Sequence, residues 1–207
     1  MLLLATAVQA EADAIGGIDG THVLVTGPGR TNAAAAVTEV VVRNPGKFTA
    51  VVSVGVAGVL PGSALTLGDV VHASRCVYME EGLITPEGFQ TMSDLGFPLG
   101  EFDGNMLYPD DTLAYRCGLP GVPIATVATC SGTDAVAQRV ADRTGCAAEA
   151  MEGAAVLHAA RRLGMPAIEV RSISNTTGNR DAQQWDLPGA LTALGWAMVD
   201  VCAACRR

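Results

Sequence analysis

The sequence lacks an excess of basic residues, and it lacks a linker. Its 207 residues carry 13 Lys and Arg against 21 Asp and Glu, which gives a formal net charge of -8. This sign argues against a protein whose affinity comes from nucleic-acid phosphates, so we expect no nucleic-acid partner. No stretch rich in Pro and Ser and no run of like charges divides the chain. We therefore expect a single domain over residues 1–207.

The spacing of a disulfide scaffold is also missing. Six cysteines are scattered through a chain that is long enough to form a core without cross-links, which favours reduced thiols and a cytoplasmic location. Cys202 and Cys205 form a C-x-x-C pair, but no second pair and no nearby histidine accompanies them. We expect neither a metal nor another cofactor.

Two apolar stretches raise the question of a membrane segment or a secretion signal. The uncharged stretch 48–68 is interrupted by four glycines and Pro61, which fits a strand followed by a turn. Residues 1–10 lack the basic region that opens a secretion signal, and they fit a buried first strand. No membrane partner is expected.

Apolar, β-branched runs alternate with alanine-rich runs along most of the chain. Strands are predicted at 2–8, 22–26, 50–56, 67–71, 122–128 and 167–174, and helices at 33–42, from Asp134, at 147–163 and, after W-D-L-P at 185–188, up to residue 205. This alternation predicts a three-layer α/β/α fold on a mainly parallel sheet. Between residues 73 and 119 the pattern loosens, and we expect loops there that form a lid.

Polar side chains follow two of the predicted strands. Glu11 comes after the first strand, and Asn175 begins a polar, turn-forming segment after the strand 167–174. Glu152 lies in the opening turns of the helix predicted at 147–163, where the helix dipole favours negative charge. Because ligands in α/β folds bind beyond the carboxyl ends of strands, these residues are candidates for a site.

A glycine-containing turn, 27–32, joins the second predicted strand to the helix 33–42. Such a turn places backbone N–H groups at a helix start, where they can bind an anion or a ribose oxygen, and Arg30 adds positive charge. Its spacing is not that of a P-loop, so the turn alone is a weak signal.

Several ordered motifs together resemble the purine nucleoside phosphorylase and nucleosidase superfamily, and within it the futalosine hydrolases of menaquinone biosynthesis. The strongest are M-E-G-A-A at 151–155 and R-S-I-S-N at 171–175, followed by G-N-R-D at 178–181 and W-D-L-P at 185–188. Weaker ones lie at 27–34, 54–60, 68–71 and 131–134. The resemblance runs from Leu4 to about Ala193 and implies a nucleoside phosphorylase-like fold.

The resemblance also implies roles for residues of this chain. Glu152 would bind the ribose hydroxyls, with Met151 packing on the sugar or base, and Glu11 would be the general base that activates water. Related adenine-specific nucleosidases have an aspartate where this chain has Asn175. An amide offers donors to N7 or O6 of a 6-oxopurine, so hypoxanthine is favoured over adenine. Further substrate contacts are assigned to Ala57, Gly58, Ser131 and Gly132.

Some alternatives stay open at this point. Asn175 cannot protonate the leaving base as a carboxylic acid could, so either Asp181 or a water molecule would supply that proton. Arg30 would suit a phosphorylase, although a phosphate dianion normally needs several donors. A nucleosidase acting on methylthioadenosine or S-adenosylhomocysteine and a non-catalytic nucleoside-binding protein are further alternatives. The resemblance also predicts a homo-oligomer.

Overall fold

The computed structural model describes residues 1–102 and 104–206, and within them the chain forms ten strands and six α-helices. The strands are β1 (Leu2–Thr6), β2 (Thr21–Val25), β3 (Ala50–Val59), β4 (Val70–Tyr78), β5 (Gly82–Thr85), β6 (Gly88–Thr91), β7 (Met106–Leu107), β8 (Gly121–Thr126), β9 (Ala148–Ala150) and β10 (Ala167–Thr176). The helices are α1 (Gln9–Ile15), α2 (Arg30–Arg43), α3 (Asp111–Cys117), α4 (Asp134–Thr144), α5 (Gly153–Arg162) and α6 (Leu187–Cys205). A 3-10 helix spans Arg180–Ala182.

The central sheet is mainly parallel, as predicted, but it is mixed. Parallel pairs are β1–β2, β1–β3, β3–β10, β4–β8 and β8–β9, whereas β4–β10, β3–β9 and β4–β7 are antiparallel. The strands β3, β10, β4, β8 and β9 follow one another and return to β3, so this part of the sheet closes on itself. β5 and β6 form a separate hairpin.

One edge of β3 changes partner along its length. Ala50–Ser53 pair with β1, and Gly58 and Val59 pair with β9. The residues between them, 54–57, pair with neither strand on that edge, and we call this segment the β3 gap. Because main-chain groups there are free of the ladder, side chains from other elements can hydrogen-bond to them.

Helices cover both faces of the sheet, which confirms the three-layer prediction. α2 and α5 pack together and bury residues such as Val37, Ala155 and Leu157 against one face. On the other face α6 packs against α1 and α3, and Leu194 and Met198 lie in that core with β1, β3 and β10. The removal of these apolar side chains from water stabilises the layers.

Two sequence predictions are wrong in part. The helix predicted at 147–163 begins only at Gly153, because Ala148–Ala150 pair with β3 and β8 as strand β9. Pairing within the closed sheet outweighs the helix propensity of alanine there. The section 73–119 is not only loop, since it contains the rest of β4, the hairpin β5–β6, β7 and α3.

The apolar C-terminal helix α6 packs on the sheet, as predicted. By length and composition alone it would be able to cross a membrane, since 18 of its residues have a mean hydropathy of 1.4. Six of its residues are buried in the core of this structure: Ala190, Leu194, Met198, Val201, Cys202 and Cys205. Burial raises the pKa of both Cys202 and Cys205 to about 11, so these thiols stay protonated at neutral pH.

Candidate active site

A cavity of about 510 Å³ opens beside the β3 gap. It contains eight of the ten residues that the sequence singles out as certain or possible members of the site: Glu11, Ala57, Gly58, Ser131, Gly132, Met151, Glu152 and Asn175. These residues come from α1, β3, β10 and two connections, so the fold brings together segments that are far apart in sequence. The volume is in the range of small-molecule sites.

Glu11 is buried and is oriented by backbone donors. Its Oε2 accepts hydrogen bonds from the N–H of Ala7 at 2.8 Å and of Val8 at 3.3 Å. Val8 is the N-cap of α1 and Glu11 is its third helical residue, a spacing at which a glutamate reaches back to the N-cap N–H. Its Oε1 accepts from Val56 N–H at 2.9 Å, inside the β3 gap. The carboxylate therefore has a fixed position at the cavity wall.

Glu152 is the N-cap residue of α5, but its side chain does not cap that helix. Instead Oε1 accepts a hydrogen bond from Gly29 N–H at 2.9 Å, and Oε2 lies 3.3 Å from Arg171 Nη2. The glycine turn 27–32 thus uses an N–H at the start of α2 to bind this carboxylate. Gly29 has φ +91°, a conformation that other residues rarely adopt.

Arg171 connects Glu152 to a buried ionic network that the sequence analysis did not identify. Its Nε donates to Glu169 Oε1 at 2.8 Å, and its Nη2 donates to Ser53 Oγ at 3.1 Å. The Sγ of Cys76 donates to Glu169 Oε2 at 2.9 Å. Burial opposes the charged form of Arg171, but the negative charges of Glu169, Glu152 and Glu11 outweigh this and raise its pKa.

Two glycines make room for this network. A Cβ at Gly55 would overlap both Glu11 Oε1 and Arg171 Nη1. A Cβ at Gly153 would overlap the carboxylate of Glu169. Glycine within a strand permits the close approach of other groups, and at Gly55 those groups are these charged side chains.

Asn175 lies at the end of β10, just after an irregularity in its register with β3. Its Oδ1 accepts from Ser174 Oγ at 2.8 Å, and its Nδ2 donates to the carbonyl of Thr176 at 2.9 Å. One amide N–H remains for a ligand. A Cβ at the neighbouring Gly58 would come within 3.0 Å of Asn175 Nδ2, so the amide packs over that glycine.

Glu149 is a third acidic side chain in the cavity. It is 5% exposed, and both of its oxygens accept from Ser131, Oε1 from the N–H at 2.7 Å and Oε2 from Oγ at 2.6 Å. Burial raises the pKa of Glu149, and the two hydrogen bonds from Ser131 oppose that rise. Its sequence position, in the first turns of the helix predicted at 147–163, where acidic residues are common, gave no signal for a site.

The loop after β10 forms one side of the cavity with Arg180, Gln183 and Trp185. Gln183 Nε2 donates to the carbonyls of Ser131 and Gly178, both at 2.9 Å. The guanidinium of Arg180 lies 4.6 Å above the Trp185 ring. Arg180 lies in the G-N-R-D motif and Trp185 in the W-D-L-P motif, but neither motif gave a role to these residues, and no sequence signal marked Gln183.

The two possible site residues do not line the cavity. Arg30 Nη1 pairs with Glu81 Oε1 at 2.6 Å and with Glu80 Oε2 at 3.1 Å. Asp181 lies in the 3-10 helix and is exposed. Of the described aromatic residues between Tyr78 and Tyr115, none lines the cavity either.

This arrangement suits a ligand with donors and acceptors and without negative charge. Three carboxylates, two amides and one guanidinium line a cavity that is otherwise lined mostly by small and apolar residues. Carboxylates accept hydrogen bonds from hydroxyl and N–H groups, and a fixed carboxylate can also take a proton from water.

A comparison with protein families identifies the class. The model of the phosphorylase superfamily matches residues 14–201. The futalosine hydrolase of Acidothermus cellulolyticus is 34% identical over 98% of this chain and 90% of the relative. That of Thermus thermophilus is 37% identical over 88% of this chain and 82% of the relative. This chain belongs to the futalosine hydrolase family of the phosphorylase superfamily.

Solved structures agree on the fold. The native futalosine hydrolase of Helicobacter pylori superposes with a TM-score of 0.78 at 17% identity and covers 98% of this chain and 97% of that one. The methylthioadenosine/S-adenosylhomocysteine nucleosidase of Neisseria meningitidis, in complex with methylthio-immucillin-A, also has a TM-score of 0.78 at 17% identity, covering 97% of each chain. At these identities the likeness concerns the fold alone.

Proposed function

We propose that this protein hydrolyses the N-glycosidic bond of futalosine and releases hypoxanthine and dehypoxanthine futalosine, a step of menaquinone biosynthesis. The observation that carries the proposal is that Glu11, Glu152 and Asn175 face one cavity in a chain of the futalosine hydrolase family. A cytoplasmic location and a homo-oligomer stay predictions from the sequence.

Glu152 binds the 2′- and 3′-hydroxyls of the ribose. Vicinal hydroxyls are two donors at a spacing that one carboxylate accepts, and these charge-assisted bonds strengthen as the sugar becomes oxocarbenium-like. Gly29 N–H and Arg171 hold the carboxylate in place before the substrate arrives. The pre-organised orientation avoids an entropy loss on binding.

Glu11 takes a proton from the water that attacks the anomeric carbon. Its three backbone donors keep it at the cavity wall, and general-base catalysis of this kind contributes about 10²–10⁴-fold. Asn175 donates its free N–H to N7 or O6 of the base. Because Asp181 is exposed and outside the cavity, a water molecule is the proposed proton source for the leaving base.

Hydrolysis is favoured over phosphorolysis by the charges around the cavity. Arg30 is held by Glu80 and Glu81, and so its charge is already compensated. Among the residues that the structure describes, Arg180 is the one cationic side chain lining the cavity, against three carboxylates. A phosphate dianion would meet more repulsion than attraction there.

The test is release of the free base from purified protein incubated with futalosine, inosine or methylthioadenosine, with and without phosphate. We expect hypoxanthine from futalosine at the same rate in both buffers and much less base from the other two nucleosides. A strict phosphate requirement would overturn hydrolysis. Wild type and Glu11→Gln that bind futalosine but are equally inactive would indicate a non-catalytic nucleoside-binding protein.

A further inference from the structure

One buried carboxylate in the cavity has no part in the reaction described so far. The acidic residues that line the cavity, within the part of the chain that the structure describes, are Glu11, Glu149 and Glu152. Glu11 faces the attacking water and Glu152 the ribose, which leaves Glu149. It lies on β9, the short strand that closes the sheet against β3.

The sheet places Glu149 and Asn175 on the two sides of one glycine. Gly58 of β3 is the antiparallel partner of Glu149 and also the parallel partner of Asn175. Paired residues of neighbouring strands project from the same face, and three neighbouring strands span ~10 Å. The space above Gly58 is filled by Asn175 Nδ2 and Thr177 Cγ2, which lie 3.0 Å and 2.9 Å from where a Cβ would stand, so the amide lies over the glycine that separates it from Glu149. Glu149 and Asn175 both line the cavity.

The hydrogen-bonding edge of a 6-oxopurine matches an amide and a carboxylate at one cavity wall. N7 and O6 are acceptors and N1 carries a hydrogen, whereas N1 of a 6-aminopurine is an acceptor. Asn175 can donate to N7 or O6, but its Oδ1 already accepts from Ser174. Each oxygen of Glu149 accepts one hydrogen bond from Ser131, and a carboxylate has about four acceptor sites. Glu149 therefore has capacity for the N1–H.

We propose that Glu149 is a specificity-determining residue whose carboxylate accepts a hydrogen bond from N1–H of the bound 6-oxopurine, while Ser131 fixes its orientation. The inference rests on the proposed function for the identity of the base. A 6-aminopurine would turn the lone pair of N1 toward the carboxylate, and both acceptors would be left without a donor.

A purely structural role explains less of what is seen. The hydroxyl and N–H of Ser131 need acceptors, but a neutral acceptor would satisfy them at a lower desolvation cost than a buried carboxylate. A ligand that donates a hydrogen bond to Glu149 accounts for the position of this carboxylate at the cavity wall rather than in the core beneath it.

The experiment measures the affinity of hypoxanthine and of 1-methylhypoxanthine for wild type, Glu149→Gln and Glu87→Gln by calorimetry. The methylated base keeps O6 and N7 but has no hydrogen at N1. Wild type should bind hypoxanthine at least tenfold more tightly. In Glu149→Gln the affinity for hypoxanthine should fall by about 10- to 100-fold, because a hydrogen bond to a charged group is lost. The affinity for 1-methylhypoxanthine should change less than threefold.

Glu87→Gln is the matched control, because it makes the same change at an exposed glutamate that does not line the cavity. It should leave the ratio of the two affinities within threefold of wild type. Equal weakening of both bases in Glu149→Gln would overturn the proposal, since a structural defect does not distinguish them. Equal affinity of both bases for wild type would overturn it without any variant.

The binding experiment is independent of turnover. If wild type releases no base from futalosine but discriminates between the two bases through Glu149, the proposed reaction fails and the role of Glu149 stands. If it hydrolyses futalosine and Glu149→Gln weakens both bases alike, the reaction stands and this inference fails.

Discussion

Glu11 and Glu152 line the same cavity, but the protein holds the two carboxylates in different ways. Glu11 accepts hydrogen bonds from three backbone N–H groups, those of Ala7, Val8 and Val56. Glu152 accepts from one N–H, that of Gly29, and otherwise depends on the guanidinium of Arg171. Arg171 in turn depends on Glu169, with which it pairs below the cavity.

The two carboxylates are therefore sensitive to different substitutions. Backbone donors persist whatever side chain their residue carries, so the orientation of Glu11 follows from the fold of β1, α1 and the β3 gap. The orientation of Glu152 follows from a chain of side chains, and a change two contacts away, at Glu169, can disturb it. We expect substitutions of Glu11 to change turnover, and substitutions in the network that holds Glu152 to change both turnover and the free energy of unfolding.

The largest expected effect is that of Glu11→Gln on turnover. The amide fills the same volume but cannot take a proton from water, so kcat for futalosine should fall by about 10²–10⁴-fold. Hypoxanthine affinity should stay within a fewfold of wild type, since the base lies toward Asn175. Initial rates and calorimetry measure the two quantities.

Asp13→Asn is the control for this variant, because Asp13 lies on the same helix and is exposed. It should keep the kcat of wild type. A Glu11→Gln protein that retains turnover within tenfold would show that another group activates the water.

The second prediction concerns stability. Arg171→Met removes the cation and leaves the buried carboxylate of Glu169 without its charged partner, which should cost about 3–5 kcal/mol of unfolding free energy. Urea unfolding measures it. Arg43→Met is the matched control, since Arg43 pairs with Glu39 at 2.9 Å on the surface, and its loss should cost less than about 1 kcal/mol. Similar values for the two variants would contradict the view that Glu152 rests on a buried network.

The third prediction concerns the ribose contact itself. Glu152→Gln should lower kcat/KM for futalosine by about 10- to 100-fold, because a hydrogen bond to a charged acceptor is lost in the transition state. With the 2′-deoxy analogue the loss should be several-fold smaller, since one of the two donors is already absent. Steady-state kinetics on both substrates measure the ratio. Equal losses would argue against hydroxyl binding.

The fold was largely predictable because its signals are local. Alternating apolar and alanine-rich segments predicted β1, β2, β3, β8, β10 and most helices, and they led to the three-layer architecture. The strand β9 was not predictable in this way. Its residues Ala148–Ala150 have no β propensity, and their conformation follows from pairing with β3 and β8, which are distant in sequence.

The polar groups of the cavity were predictable in part. Glu11, Glu152 and Asn175 followed from the ends of strands and from the family resemblance, and the structure brings all three to one cavity. Their roles stay predictions. Glu169 and Arg171 could not be identified as partners from the sequence. Their side chains lie in space that two glycines of other segments, Gly55 and Gly153, leave open. Only tertiary contacts reveal that space.

The smallest expected effect tests a third way of holding a polar group, at Asn175, which accepts from Ser174 and donates to the carbonyl of Thr176. Asn175→Asp keeps the hydrogen bond from Ser174 and loses the one to Thr176. It also replaces the amide N–H that faces the base with a carboxyl group, which can accept from a 6-amino group. The preference for futalosine over its 6-amino analogue, as a ratio of kcat/KM, should fall about tenfold. Asn44→Asp, at the end of α2, is the control and should leave the ratio unchanged. A ratio that stays at the wild-type value in Asn175→Asp would show that Asn175 does not select the base and would leave that selection to Glu149. Asn175→Asp and Glu149→Gln together therefore compare the residues on the two sides of Gly58.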